Sequence, residues 1–255
     1  MTEQITAEPP VEYRGYGPIV NDTSGPATTI RQIGGTGTAR WKQLAYGAHL
    51  QGEWNTVEHV TLLPGAGVGE HVHSRTEEIY YIVSGAATMR VNGRTHQVRA
   101  GDLITTPIGT RHAIDNHGEQ DMVFFVTEVY PGDARELEPV FVRMADGMAP
   151  VDGFRGSPQP VRVSSVALAG LFTGPWQAFS EILLEPHGTL GDYALPETCE
   201  VVLVLDGSAA ITVEGETYTG GPGLCVAVPA GTDRRITNTA AGEELRLIAT
   251  EVAVG

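Results

Sequence analysis

Apolar and polar positions alternate along this chain in short runs. Glu78 to Val83, Ala86 to Val91, Arg94 to Val98 and Met122 to Val129 are 5 to 8 residues long, rich in β-branched and aromatic side chains, and bounded by Gly, Asn or Asp. That pattern predicts strands joined by tight turns. Asn92-Gly93, between two such runs, is the signature of a type I′ hairpin, because both central residues need positive φ. No stretch sustains a helical period with caps, apart from a helical turn expected near Asp133 to Glu138. The fold class is all-β, a sandwich or small barrel.

The pattern is written twice. Sliding the chain by 122 residues superposes Gly52 on Gly174, Trp54 on Trp176, Pro64 on Pro186, Glu78 on Glu200 and Gly85 on Gly207. The same shift places Gly93 on Gly215, Gly101 on Gly223, Pro107 on Pro229, Gly109 on Gly231 and Asn116 on Asn238. Two copies of one unit follow: an N-terminal extension over 1–39, a first unit over 40–130, a connector over 131–161 and a second unit over 162–255.

Composition narrows the function. The 32 Gly and 16 Pro among 255 residues supply the turns, and a hydrophobic share of 41% suffices for a core. Sixteen Lys and Arg against 31 Asp and Glu leave a net charge of −15, which repels a nucleic-acid backbone or an anionic membrane. Two cysteines, Cys199 and Cys225, read as buried core thiols in a reducing compartment. The N-terminus carries no signal-peptide pattern, and the longest aliphatic runs are far too short to span a bilayer. The expectation is a soluble cytoplasmic protein without nucleic-acid or membrane partners, a homodimer through its sheet edges.

Seven of the eight histidines lie in the first 150 residues. In the first unit Gly65 is followed by five residues, His71-Val72-His73, four residues, Glu78, six residues and Gly85. Further on, Gly101 is followed by five residues, Pro107-Ile108-Gly109, two residues, His112, three residues and Asn116. Alternation puts His71 and His73 on one face of a strand. Three imidazoles and a carboxylate converging from neighbouring strands suit one divalent transition metal. These two segments resemble the two motifs of the cupin superfamily, and the likeness covers both units, so the chain looks like a bicupin, two tandem double-sheet jelly-roll barrels. The resemblance implies His71, His73, Glu78 and His112 as metal ligands. Glu77 is the rival of Glu78, but Glu78 alone lies seven residues before the motif glycine and is repeated as Glu200; Glu77 then reads as a solvated neighbour. Asn116 is expected to hold a turn or a backbone group.

The second unit keeps the scaffold and loses the site: Tyr193, Leu195 and Arg234 stand where His71, His73 and His112 stand in the first, and Arg234 is expected to pair with Glu200. His187 is expected in a loop. Strand parity adds Tyr80 and Ile82, which share the face of Glu78, and Ile114, which follows His112 in register. Tyr80, with its hydroxyl, and Glu78, as a base that can leave the metal, are the candidate catalytic residues. Tyr80, Ile82, Ile114 and His59 are the candidate substrate-lining residues. His96 and His117 are expected to be exposed, and Arg90 and Arg94 to be solvated hairpin charges.

A 3-His-1-Glu site leaves open positions for an oxygen-bearing small molecule and for O2 beside it. The expected function is an enzyme performing an oxygen-dependent, dioxygenase-type oxidation of a small organic substrate, with Fe(II) favoured and Mn, Ni, Cu, Co or Zn as alternatives. The family also includes oxalate-processing enzymes, isomerases and an allantoin-pathway aminohydrolase. A non-redox isomerase, lyase or aminohydrolase is therefore an alternative, as is a non-catalytic metal- or small-molecule-binding module. The aminohydrolase resembles this chain in length but carries its metal in the C-terminal cupin, which counts against transferring that activity.

Overall fold

The computed structural model describes residues 16–133 and 135–255. Each unit is a barrel of two facing antiparallel sheets. In the first, a large sheet runs in the order Phe141–Arg143, Asp102–Thr106, Glu77–Ser84, Met122–Val129, Trp54–Leu62, Ala39–Tyr46 and Thr28–Ile30. It faces a small sheet of Gly67–Val72, Arg111–Asp115, Ala86–Val91 and Arg94–Arg99. The second unit repeats both sheets, its large one built around Thr198–Asp206, Leu245–Ala253 and Trp176–Leu184 and its small one around Thr189–Tyr193, Arg234–Asn238 and Ala209–Val213.

The turns are the glycines that the repeat exposed. Asn92 and Gly93 have φ of 48° and 77°, and Glu214 and Gly215 have 49° and 84°, so the type I′ hairpin occurs in both copies. Gly65, at φ 76°, is replaced by His187 at 59°; the left-handed turn is kept even where the glycine is not. His187 lies in an exposed loop. Asn116 donates from Nδ2 to the carbonyls of Leu62 and Gln120, and Asn238 ties down its own copy of that turn in the same way.

The two barrels share a core. One apolar cluster joins Trp54, Val57, Ile79, Tyr81 and Phe125 of the first large sheet to Trp176, Phe179, Val201 and Ile248 of the second, while each barrel interior holds a cluster of its own. Cys199 and Cys225 lie in the shared cluster as free thiols, raised to about 12 by burial, which makes them packing residues. The chain ends of the units interleave as well. Ile19–Asn21, within the extension, pairs with Cys225–Val228 of the second unit. The first 15 residues of that extension lie outside the described residues.

In the connector, Phe141–Arg143 extends the first unit's large sheet and Ala149–Val151 the second's. The helical turn expected near Asp133 to Glu138 is not found: residue 133 is a bend, residues 135–138 carry no helix, and residue 134 is outside the described residues.

Candidate metal centre

Three strands bring the motif histidines and Glu78 together inside the first barrel. His71 and His112 are direct cross-strand partners in the small sheet, while Glu78 projects from the large sheet opposite them. Their Nε2 atoms stand 3.0 Å apart. Glu78 Oε2 lies 3.0 Å from His73 Nε2 and 3.4 Å from His112 Nε2. Donors held about 2.1 Å from one centre and at right angles to each other are about 3.0 Å apart, so these spacings match adjacent corners of an octahedron.

The other ring nitrogens are committed in the sense that ligation needs. His71 Nδ1 lies 2.9 Å from the Gly69 carbonyl, which only accepts, so the neutral ring carries its proton there and leaves the Nε2 lone pair free. For His73 the chain is longer: the Thr76 hydroxyl donates to Glu128 Oε2 at 3.0 Å and its oxygen stands 3.3 Å from His73 Nδ1. A carboxylate acting through a hydroxyl thus orients the second imidazole. His73 Nε2 is buried with Glu78 Oε2 3.0 Å away as its polar neighbour, two donors that one metal would join. His73, Glu78 and His112 are buried and His71 is half-buried.

Charge argues for a cation as well. Burial pushes the Glu58 carboxyl up to about 7, with Trp41 opposing and the neighbouring Glu128 and Glu78 adding to the rise. Glu128 is likewise raised by burial and by Glu78. Burial would raise Glu78 too, but the three histidines around it outweigh that and hold it below the usual carboxylate range. Burial pulls His73 down and Glu78 more than reverses it, to about 9, whereas burial holds His112 down at about 3. Three acidic side chains gathered around three imidazoles form a site suited to a divalent ion.

Tyr80 sits beside the ligands, its ring edge-on to His112 at 5.3 Å and its phenol held well above the usual range by burial and by Glu78. Ile82 and Ile114 share its face and lie in the apolar interior of the barrel. His59 is a correction. A register irregularity between Gln43 and Ala45, in the strand paired with His59's own, accompanies an interior face carrying Leu62, Val60 and Glu58, and His59 faces the opposite way. There it borders a 200 Å³ cleft between the units with Thr23, Ser84 and Leu205. Glu58 is the inward residue that sequence reasoning missed; its signal was a polar side chain in register with Val60 and Leu62.

Glu77 is a second correction. It is wholly buried, because the far face of its strand is covered by the other unit rather than by water. Its carboxylate accepts from Thr173 N, Thr173 Oγ1 and Gly174 N, each at 2.8 Å. His96 is also not free but stacks on Phe141 at 4.0 Å, while His117 is exposed. Arg90 is engaged too, donating to Asp115 at 2.8 Å.

In the second unit Arg234 Nε lies 3.5 Å from Glu200 Oε2, both side chains fully buried, as the pairing expectation required. Arg155, a connector residue outside both repeated motifs, reaches in and pairs with Glu200 and Glu251.

Comparison with known proteins agrees with this geometry. The family model for the cupin domain matches residues 58–128 and 180–251. An oxalate-binding protein of Thermotoga maritima is 31% identical over 111 residues, 43% of this chain and 92% of that protein. An oxalate decarboxylase of Bacillus subtilis is 35% identical over 79 residues, 29% of this chain and 20% of the enzyme. A tetracenomycin polyketide synthase protein of Streptomyces glaucescens is 31% identical over 75 residues, 29% of this chain and half of that protein. Among solved structures, protein Ylba of E. coli superposes with a TM-score of 0.73 at 12% identity, covering 95% of this chain and 93% of its own. Oxalate decarboxylase of Bacillus subtilis gives 0.69 at 18% identity, covering 92% and 76%. Among the described residues no helix is long and apolar enough to cross a membrane.

Proposed function

The chain belongs to the cupin family, as a bicupin, and from that premise we propose that its first unit is a metal-dependent enzyme site acting on a small organic molecule. The single observation that carries this reading is the convergence of His71, half-buried, with buried His73 and His112, their ligand atoms within 4.8 Å of one another, and of Glu78, which lies 3.0 Å from His73 and 3.4 Å from His112. His71, His73, Glu78 and His112 would hold the ion, which would supply Lewis acidity and, if redox-active, electron transfer to O2. The reaction we favour is an oxygen-dependent, dioxygenase-type oxidation, with Fe(II) as the metal; Mn, Ni, Cu, Co and Zn fit the same donors.

The chain's own residues define the rest. Tyr80, neutral across the physiological range, presents a phenolic donor beside Glu78. Ile82 and Ile114 keep the interior dry, which strengthens each polar contact made there. Glu58, raised to about 7, is a carboxyl able to hold or release a proton at neutral pH.

A redox-neutral reaction on a small carboxylate is the second reading. It is favoured by the relatives named for oxalate binding and oxalate decarboxylation. Anaerobic reconstitution with each metal, followed by an oxygen-electrode screen of enols, catechols and small dicarboxylic acids, separates the two. Substrate-dependent O2 uptake that is abolished in His71→Ala supports oxidation. Turnover without O2 uptake moves the assignment to the lyase or isomerase reading, and absence of turnover with every metal contradicts both.

A further inference from the structure

We propose that the second unit binds a small monocarboxylate anion on Arg234, at the place where the first unit presents His112. The position is homologous in the fold. Arg234 pairs across strands with Tyr193 as His112 pairs with His71, and Glu200 stands where Glu78 stands. Metal ligation is lost there, yet the residues that replaced it form an arrangement that is incomplete as it stands.

The deficit lies on Arg234. Glu200 is already engaged, with one carboxylate oxygen paired to Arg155 and the other accepting from the Tyr193 hydroxyl at 3.0 Å. Arg155 also takes Glu251. Arg234 is left at 3.5 Å from Glu200 without a hydrogen bond, and Nε, Nη1 and Nη2 all lack an acceptor among the described residues. The residue is only 2% exposed. A buried guanidinium whose Nε is held only by an ion pair at 3.5 Å and whose Nη1 and Nη2 have no acceptor among the described residues calls for an acceptor of matching shape. Burial raises the Glu251 carboxyl, against the opposing pull of Arg155, and any proton it takes leaves the cluster net positive.

The surroundings select the ligand class. The Tyr193 ring lies 5.1 Å from the Arg234 guanidinium carbon, and Leu190, Val213 and Ile236 form the apolar interior of this barrel. A planar monocarboxylate matches the fork in shape, whereas a phosphate would carry a second negative charge into an apolar interior. The turn Phe154–Gly156, which carries Arg155 into the barrel, closes over the cluster; Arg155 sits there at φ 49°, a left-handed conformation unusual for a side-chain-bearing residue. This inference does not depend on the activity proposed for the first unit.

Isothermal titration of the full chain with sodium formate and with sodium acetate tests it. One site per chain is expected in the wild type and equally in His71→Ala, with at least a tenfold loss of affinity in Arg234→Gln. Arg234→Gln/Glu200→Gln, which also removes the carboxylate left behind, serves if the single variant does not fold. Should neither fold, a crystal structure of the wild type with formate is decisive: a carboxylate on the Arg234 fork supports the proposal, and water alone there overturns it. Absence of binding in the wild type, unchanged binding in the Arg234 variants, or loss of binding in His71→Ala would each refute it.

Discussion

Glu58 and His59 are neighbours in sequence that are driven in opposite directions, because one points into the barrel and the other toward the cleft between the units. Burial, then Lys42, hold the His59 imidazole down at about 4, so it is neutral in the fold. Glu58 is raised to about 7, so the folded state holds its proton over a range where the unfolded chain has released it. Stability from this carboxyl is therefore complete below pH 4.5 and is lost as pH rises through 7, a loss on the order of 3 kcal/mol. In metal-free protein, Glu58→Gln is expected to remove this carboxyl's share alone, so that the shift in urea midpoint between pH 5 and pH 8 differs from the wild-type shift by that amount, while the contributions of His59, His73 and His112 remain in both; the same shift in variant and wild type would contradict the assignment. Glu128 acts at a distance of one hydroxyl. Glu128→Gln should weaken metal binding by roughly tenfold through the loosened Thr76–His73 contact while the fold is kept, and a competition titration with a chromogenic chelator reads it directly. An unchanged affinity would make Glu128 a packing residue.

The strand Glu77–Ser84 shows what a sequence can and cannot disclose about an element. Alternation separated Glu78, Tyr80 and Ile82 from Glu77, Ile79 and Tyr81, and that division holds in the two clusters they join. What alternation does not reveal is the medium on each side. The far face meets the second barrel, so Glu77 is a buried acceptor for three donors of the loop before Trp176, and Tyr81 bonds to Glu181 at 2.8 Å across the same boundary. Glu77→Ala leaves those donors unmet and should destabilise the whole chain by about 2–3 kcal/mol, measurable as a lower urea midpoint; a change under 0.5 kcal/mol would mean that water replaces the carboxylate freely. The metal motifs were legible because each ligand sits at a fixed spacing from a turn glycine. Arg155 was not, because a residue delivered by a connector obeys no strand register.

At the scale of the molecule, the two barrels share one apolar cluster and have two different interiors. The shared cluster around Trp54, Trp176, Phe125 and Phe179 makes each barrel part of the other's core. The all-β class could be read from short alternating runs, the repeat largely from matched Gly and Pro positions, and the loss of the second metal motif from the residues that stand at the histidine positions. The interleaving of the extension's Ile19–Asn21 with the second unit could not, since such short strands carry no periodicity of their own. The asymmetry between the interiors is the central claim: histidines and carboxylates for a cation in the first, arginines in the second. Elemental analysis of the purified chain after loading with each divalent metal tests it most directly. The expected result is one metal per chain in the wild type and in Glu200→Gln, and less than about a tenth of that in His71→Ala and in His112→Ala. Two metals per chain, or full retention in the histidine variants, would contradict the account.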